Sequence, residues 1–396
     1  MDLVTKFKNK RILVTGATGF IGSRIIERLY FETKDSQISA MVRNFNKIAR
    51  ISRFDKVNLI KADILNSEEV NKATENIDII LYTIYGNAGT PEQQREVNVK
   101  GLDNICKAAL KNSVKKIVYL STISVYGNQN LSVFSEDSPM KSNGEVYTDS
   151  KIEAEKLAME YFHKHNLPIT IIRPTVVYGP YSANWTTKYI NALRNNTLYL
   201  IEDGEGLCDT VYMDNLIDGM FLAAGNERSN GGTYIISDGQ PVTWKRFYKY
   251  YMDMVGVESI PSLSIKEIKE MKKQRKNLLY NLKGIVKALL NNYNLRRDLS
   301  RYELLKYVKS TIKRFIPKEK LSMLAVTEGA SSTVTNGDSG SSGTIKFELP
   351  TQKQIEFYTA KKRHEINKAK KELGYVPRIN IDTGMGLIKT WYDNLF

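Results

Sequence analysis

The sequence predicts an α/β protein built on a doubly wound parallel β-sheet. Its apolar segments are short, alternate with helical stretches and are apolar on both faces, which is typical of strands buried between two layers of helices. A glycine-rich turn, TGATGFIG at residues 15–22, directly follows the first segment. The predicted strands lie at residues 11–15, 37–42, 58–63, 77–84, 115–122 and 167–175, and the longest helix between them at residues 91–112.

The composition permits a large buried core and argues against stabilisation by cysteines or metal. The chain has 396 residues, of which 42% are hydrophobic, enough for one or two domains. Its two cysteines, Cys106 and Cys208, stand far apart, and only three histidines are present. We therefore expect neither a disulfide framework nor a metal site.

The N-terminal segment does not resemble a secretion signal. MDLVTKFKNK leads directly into the first strand without the apolar segment of a signal peptide. No uncharged apolar run approaches the ~18 residues of a membrane span. We expect a cytoplasmic protein.

The glycine turn predicts a dinucleotide site. Gly16, Gly19 and Gly22 fall between a strand and a helix. A tight turn, close approach of the backbone to a pyrophosphate and close packing of helix on sheet each exclude a Cβ atom, and the helix N-terminus favours an anion. A glycine triplet in this context indicates a bound dinucleotide.

Several motifs resemble those of the extended short-chain dehydrogenases/reductases, the NAD-dependent epimerase/dehydratase family. Beside the glycine turn, these are Asp63 in KADIL, Asn98 in VNVKG and the C-terminal segment 366–392. The similarity covers residues 1–255 and 351–394 and implies a Rossmann fold. It also implies that the dinucleotide contacts Gly16, Thr18, Gly19, Phe20, Ile21, Gly22, Arg43, Asp63, Ile64, Thr83, Asn98, Ser121, Tyr147, Lys151, Pro174 and Val177.

The end of the second strand favours NADP(H) over NAD(H). An acidic residue at this position holds the adenosine ribose of NAD, whereas an arginine accepts the 2′-phosphate of NADP. This chain has Arg43 there. An arginine pairs with a phosphate that an aspartate would repel. NAD(H) is the alternative if Arg43 is only a surface side chain.

A tyrosine and a lysine in EVYTDSKIEAEK (145–156) form a YxxxK pair. Helix geometry alone brings residues four apart together, so the spacing by itself says little. The resemblance implies that Tyr147 is the catalytic acid–base and that Lys151 binds the cofactor ribose and favours the phenolate. In YLSTISVYG (119–127), the hydroxyl that completes the set is Thr122, with Ser121 and Ser124 as competing candidates.

Departures from the family pattern bear on the substrate. Ile123 and Ser124 stand at the two positions where the sugar 4,6-dehydratases of the family have Asp and Glu. Val176 stands where nucleotide-sugar enzymes often have Asn. Cys208 replaces an arginine that grips the diphosphate, although another arginine such as Arg194 could substitute. Ser124, Val176 and Cys208 are therefore candidate substrate contacts.

RPTVVYGP (173–180) and VRN (42–44) together resemble the hydroxysteroid- and flavonol-type reductases of the family. We expect an NAD(P)-dependent oxidoreductase that interconverts a secondary alcohol and a ketone, as the hydroxysteroid- and flavonol-type enzymes of the family do. One alternative is a sugar or nucleotide-sugar epimerase with tightly bound NAD⁺. A more distant alternative is a non-catalytic, cofactor-binding scaffold.

The charge is unevenly distributed. Of the net charge of +15, residues 261–320 contribute +12, from 17 basic and 5 acidic residues. A solvated helical cap would explain this, but segment 264–320 could also bind an anionic membrane surface, at the inner face, or an acidic carrier protein. Nucleic acid is not expected, because no stacking aromatic residues alternate with the charges. The resemblance to the family implies a homodimer.

The predicted organisation has four parts. An NAD(P)-binding Rossmann domain occupies residues 1–175, and a substrate domain combines 176–260 with 351–396. A basic helical insertion, 261–326, carries an apolar stripe that includes Leu278 and Leu290. Residues 327–344 are small, polar and rich in Gly and Ser, which predicts a flexible linker.

Overall fold

The computed structural model describes residues 6–33, 35–277, 332–334 and 345–395. Most of the predicted basic insertion (261–326), including its apolar stripe, and most of the predicted linker (327–344) lie outside the described residues. Contacts divide the chain into two compact units, one of Met1–Ile190, Leu207–Gly256 and Lys361–Phe396 and one of Asn191–Gly206 and Val257–Ala360.

A seven-stranded parallel sheet forms the centre of the first unit, which confirms the predicted fold class. The strands lie in the order β3-β2-β1-β4-β5-β6-β7. The direction of strand progression reverses between β1 and β4, where a crevice opens at the carboxyl ends. In chain order the strands are β1 Arg11–Thr15, β2 Gln37–Val42, β3 Val57–Lys61, β4 Ile79–Tyr82, β5 Lys116–Leu120, β6 Ile169–Pro174 and β7 Thr233–Ile236.

The principal helices follow the strands or flank the sheet. In chain order they are α1 Phe20–Glu32, α2 Ser67–Ala73, α3 Pro91–Lys111, α4 Val146–His165, α5 Lys188–Arg194, α6 Met213–Ala224, α7 Trp244–Val255, α8 Gln352–Thr359 and α9 Ile381–Asp393. Residues 265–277 are also helical. Among the described helices, none combines the length and the apolarity that crossing a membrane requires.

Short strand pairs supplement the sheet. They are Val176–Tyr178 with Thr210–Tyr212, Leu207–Cys208 with Val242–Thr243, Val133–Phe134 with Arg363–His364, Leu200–Ile201 with Ser262–Leu263, and Ser332–Val334 with Ile345–Phe347.

Alternate residues of each strand face opposite helical layers. Ile12 and Val14 of β1 join a core that includes Leu216 of α6, whereas Leu13 joins a second core that includes Leu102 of α3. Both faces of the sheet are therefore covered, as the continuously apolar strands predicted. The second unit has a smaller apolar cluster of Ile201, Leu263, Ile268 and Ile355.

A buried lysine lies at the start of β5. Lys116 is 4% exposed, and its Nζ donates to Thr170 Oγ1 at 2.8 Å, Ser229 Oγ at 2.7 Å and the Asn226 carbonyl at 3.2 Å. These acceptors are neutral, so hydration of the ammonium is replaced without a hydrogen-bonded counter-ion. Burial lowers the pKa of Lys116 to about 7.

We predict that the wild type gains stability relative to a Lys116→Met variant as the pH rises from 7 to 9. The unfolded chain keeps this lysine protonated up to its ordinary pKa of 10.5, whereas the folded chain releases the proton near pH 7. The unfolded state then binds more protons, so the free energy of unfolding of the wild type increases with pH, by about 2 kcal/mol relative to the variant. Urea denaturation at both pH values measures this difference; a difference independent of pH would contradict the lowered pKa.

Candidate active site

The glycine turn has the shape of a dinucleotide cradle. Gly16 adopts a left-handed φ of +66°, and a Cβ there would lie 2.9 Å from Thr83 Oγ1. A Cβ on Gly22 would lie 2.2 Å from the Gly16 carbonyl oxygen. In the described structure, no side chain caps the N-terminus of α1 and no acidic residue lies in its first turn. The N–H groups of that turn are therefore available to a pyrophosphate.

The ends of β1 and β4 are joined at this turn. Thr83 Oγ1 donates to the Thr15 carbonyl at 2.7 Å, which places Thr83 beside Gly16. The half-buried side chains Thr18, Phe20 and Ile21 complete the turn.

The predicted contacts after β3 and on α3 have structural roles of their own. Asp63 is half-buried and accepts from the Leu65 N–H at 2.9 Å, and Ile64 is buried. Asn98, 2% exposed, accepts from the Gly86 N–H at 2.8 Å and donates to Ser150 Oγ at 3.0 Å. Asn98 therefore connects the loop after β4 to the helix that carries the YxxxK pair.

Arg43 is the first residue after β2 and is exposed. Its guanidinium makes no hydrogen bond or ion pair with the described residues. Because β2 neighbours β1, Arg43 lies at the carboxyl edge of the sheet, beside the strand that carries the glycine turn.

The YxxxK pair opens α4 opposite the end of β5. Tyr147 is the second residue of the helix, and Lys151 follows one turn later. Thr122 caps a single 3₁₀ turn after β5, where its Oγ1 accepts from the Ser124 N–H at 3.1 Å. The Thr122 side chain acts on the Tyr147 phenol and lowers its pKa. The structure thus brings together Tyr147 and Thr122, which are 25 residues apart in sequence.

Burial sets the charge of both members of the pair. It raises the pKa of Tyr147 to about 12, against the hydrogen bond from Thr122, so the phenol is neutral at pH 7. It lowers the pKa of Lys151 to about 8. Lys151 Nζ donates to the Leu120 carbonyl at 2.9 Å and to the Tyr119 phenol at 3.3 Å.

The competing hydroxyls are engaged elsewhere. Ser121 Oγ donates to Glu155, so it faces the interior. Ser124 Oγ accepts from Thr122 Oγ1 at 3.2 Å. Of the three hydroxyls, Thr122 is the one that lowers the pKa of the Tyr147 phenol.

The remaining predicted contacts lie beyond β6. Pro174 ends β6, and Val176 and Val177 belong to the short strand Val176–Tyr178. Val176 is 6% exposed and pairs with Thr210, two residues after Cys208. Cys208 is 1% exposed, and burial raises the pKa of its thiol well above its ordinary value. Cys208 is thus a neutral, interior side chain.

Sequence reasoning missed two buried charge pairs. Glu155 is bound by Arg173, with Nη2 to Oε2 at 2.6 Å. Asp209 Oδ2 lies 2.9 Å from His364 Nδ1. Arg173 lies 18 residues from Glu155, and His364 lies 155 residues from Asp209, so no local spacing indicated either pair.

We predict that Thr122→Val raises the pKa of Tyr147 above that of the wild type, because the hydrogen bond that opposes the effect of burial is lost. The measurement is the alkaline ultraviolet titration of tyrosinate, after subtraction of a Tyr147→Phe titration. Thr74→Val is the matched control, because the Thr74 hydroxyl donates to the Asn71 carbonyl at 2.9 Å and does not act on Tyr147. An unchanged Tyr147 titration in Thr122→Val would show that the two side chains do not interact.

Comparison with known proteins agrees with this geometry. The model of the 3-beta hydroxysteroid dehydrogenase/isomerase family matches residues 13–266. The 3-beta-hydroxysteroid dehydrogenase of Mycolicibacterium neoaurum is 28% identical over 254 residues, which cover 60% of this chain and 68% of the relative. The dTDP-D-glucose 4,6-dehydratase of Mus musculus is 32% identical over 212 residues, which cover 50% of this chain and 59% of the relative.

Solved structures share the fold. The dTDP-glucose 4,6-dehydratase of Streptomyces venezuelae, solved with NAD and TYD bound, superimposes with a TM-score of 0.65 at 18% identity, over 97% of each chain. The family model covers well over half of the sequence. The chain therefore belongs to the 3-beta hydroxysteroid dehydrogenase/isomerase family of extended short-chain dehydrogenases/reductases, and it is an NAD(P)-dependent oxidoreductase of that type.

Proposed function

We propose that this enzyme interconverts a secondary alcohol and its ketone on an apolar carbon skeleton, with Tyr147, Thr122 and Lys151 as its catalytic residues. The observation that carries the proposal is the bond from Lys151 Nζ to the Leu120 carbonyl at 2.9 Å, which holds the helix of Tyr147 and Lys151 against the end of β5, two residues before Thr122. This arrangement supplies a proton donor, a second donor for the same oxygen and a cation.

The chain's residues would act on the substrate oxygen. A dinucleotide held at the glycine turn would supply or accept the hydride at the substrate carbon. In the direction of reduction, the neutral Tyr147 phenol gives its proton to the oxygen, and Thr122 orients that oxygen. In the direction of oxidation, Tyr147 takes the hydroxyl proton, which requires a phenolate. The charges of Lys151 and of the oxidised nicotinamide favour that phenolate.

The cofactor proposal is NADP(H), with NAD(H) as the alternative. The cradle at Gly16 and Gly22 fits a pyrophosphate, because a Cβ at either position would collide with its surroundings. Arg43 supports the 2′-phosphate, since its exposed guanidinium is unpaired within the described residues and lies at the carboxyl edge of the sheet. Lys151 and Asn98 would hold the nicotinamide half.

The substrate proposal rests on named relatives and on the departures at Ile123-Ser124 and Cys208. Among the relatives are 3-beta-hydroxysteroid dehydrogenases and a 2-alkyl-3-oxoalkanoate reductase, whose names share an alcohol or ketone on a carbon skeleton. A neutral buried thiol at Cys208 offers no charge to a diphosphate. The alternative of a sugar or nucleotide-sugar epimerase is supported by structural neighbours such as UDP-glucose 4-epimerase.

The binding partners that we propose follow from the positive charge of the helical stretch 265–277. Exposed lysines at 266, 269, 273 and 276 follow one side of the described helical stretch 265–277. They support an anionic membrane surface or an acidic carrier protein as the partner of segment 264–320. Cosedimentation with anionic liposomes at low salt tests the membrane version. We also propose a homodimer, which light scattering of the purified protein tests.

We predict that Tyr147→Phe lowers turnover by about 10² to 10⁴-fold, because the proton donor and acceptor is lost. The assay follows NADPH or NADH with a 3β-hydroxysteroid and its ketone as probes. Cofactor affinity should stay within about threefold of the wild type, because the lost hydroxyl transfers a proton and is not part of the glycine turn that binds the pyrophosphate.

The matched control for this prediction is Tyr161→Phe, which removes a phenol from the same helix. The Tyr161 hydroxyl donates to Asp103 at 2.6 Å. Its loss should leave turnover unchanged. Full activity of Tyr147→Phe would end the catalytic assignment.

We predict that Arg43→Ala weakens NADPH binding about 10- to 100-fold and leaves NADH binding nearly unchanged. A hydrogen bond to a charged group contributes about 1.5–3 kcal/mol, and NADH lacks the 2′-phosphate. Titration of each nucleotide by fluorescence gives the two Kd values. Arg53→Ala is the control, because Arg53 is ion paired with Glu27 at 2.8 Å. Wild-type binding of NADH at least as tight as that of NADPH would contradict the preference.

A further inference from the structure

A buried ion pair lies behind the catalytic helix. The side chains of Glu155 and Arg173 are 2% and 6% exposed. Arg173 binds both carboxylate oxygens, with Nε to Oε1 at 3.1 Å and Nη2 to Oε2 at 2.6 Å. Ser121 Oγ donates to the same carboxylate. Glu155 is therefore fixed by the ends of two strands, β5 and β6.

This pair is anchored on both sides. Arg173 Nη1 also donates to the Tyr126 phenol at 2.8 Å and to the Glu136 carbonyl at 3.1 Å. Tyr126 closes the 3₁₀ turn that begins after Thr122. The ion pair thus contacts both segments that carry the proposed catalytic residues.

Lys151 needs a nearby negative charge. It is 3% exposed, and the atoms that accept from its Nζ, the Leu120 carbonyl and the Tyr119 phenol, are neutral. An ammonium buried among neutral acceptors tends to lose its proton. Glu155 lies four residues further along the same helix, on the same face.

The titratable groups that act most strongly on Tyr119, whose phenol accepts from Lys151 Nζ, offer no charge at pH 7 other than that of Glu155. Among the described residues they are Tyr82 on β4, Cys106 on α3 and Tyr147 on α4, whose pKa values are raised by burial, so each is neutral.

We propose that Glu155 is a positioning residue for the reaction: held by Arg173 and Ser121, its carboxylate keeps the buried ammonium of Lys151 charged so that Lys151 can bind the dinucleotide ribose. The charge of Glu155 raises the pKa of Lys151 against the effect of burial. Arg173 gives the carboxylate a fixed place without a hydrogen bond from Lys151 itself, which leaves the lysine donors for the cofactor.

The inference rests on the proposed role of Lys151 and is tested by binding rather than by turnover. The probe is NADPH or NADH, whichever the wild type binds more tightly, and Kd is measured by fluorescence from pH 6.5 to 10. Affinity of the wild type should fall as the pH rises past about 8, where Lys151 loses its proton. In Glu155→Gln the midpoint of this fall should move about one unit to lower pH, because the neutral amide no longer favours the ammonium.

Glu153→Gln is the matched control. Glu153 lies on the same helix and is also bound by an arginine, with Arg95 Nε to Oε2 at 2.8 Å, but the pair is exposed. In Glu153→Gln, the midpoint of the fall in nucleotide affinity with pH should equal that of the wild type. Lys151→Met should abolish the pH dependence, which assigns it to Lys151.

The outcomes distinguish a failure of the role of Glu155 from a failure of the proposed function. A folded Glu155→Gln protein with the wild-type midpoint overturns the role of Glu155. A wild type that binds neither nucleotide, or whose pH dependence persists in Lys151→Met, contradicts the proposed function instead. If thermal denaturation shows that Glu155→Gln does not fold, the double variant E155Q/R173Q replaces it, since it leaves no unpaired buried charge. A lowered midpoint is expected there as well, by a smaller amount because the cation of Arg173 is lost with the carboxylate, and an unchanged midpoint overturns the proposal.

Discussion

The close contact between the end of β1 and the start of α1 is the constraint on which the site depends. Gly22 lies so near the Gly16 carbonyl that a Cβ would approach it to 2.2 Å. This contact lets α1 begin directly over the carboxyl end of β1, with its first-turn N–H groups at the point where the strand order reverses. Thr83 fixes the same point from β4 by bonding the Thr15 carbonyl. The dinucleotide cradle is thus a consequence of helix–sheet packing at two glycines.

Polar groups in the interior serve the second half of the site. A sheet apolar on both faces provides a stable platform, but it is a poor environment for a charged lysine and a reactive phenol. The structure surrounds them with hydrogen bonds: the Ser124 N–H donates to Thr122 Oγ1, Lys151 Nζ donates to the Leu120 carbonyl, and Ser121 and Arg173 donate to Glu155. These bonds come from the ends of β5 and β6, so the strands that form the core also position the chemistry.

The parts that the sequence predicted best are those with strong local signals. The glycine turn, the apolar strands and α3 were found within a few residues of their bounds, because burial on both faces and the capping box of Thr90 and Gln93 leave clear patterns. The strand β7, residues Thr233–Ile236, was missed. Its apolar run, TYII, is flanked by polar and glycine residues, whereas the equally short β4 lies within the longer apolar segment IDIILYTI, and the place of β7 beside β6 depends on a tertiary contact. The pairs Glu155–Arg173 and Asp209–His364 were missed for the same reason, since a long-range partner has no local signature.

In the proposed oxidoreductase reaction, the dinucleotide is a cosubstrate that binds and leaves, and the substrate undergoes net oxidation or reduction. The most direct test is to purify the protein without added cofactor, denature it and identify any nucleotide that is released. We predict that no nucleotide is released and that the purified protein binds NADPH more tightly than NADH. Release of one equivalent of NAD⁺ per chain would contradict it, because a permanently held oxidised cofactor fits an epimerase, which oxidises and re-reduces the same carbon.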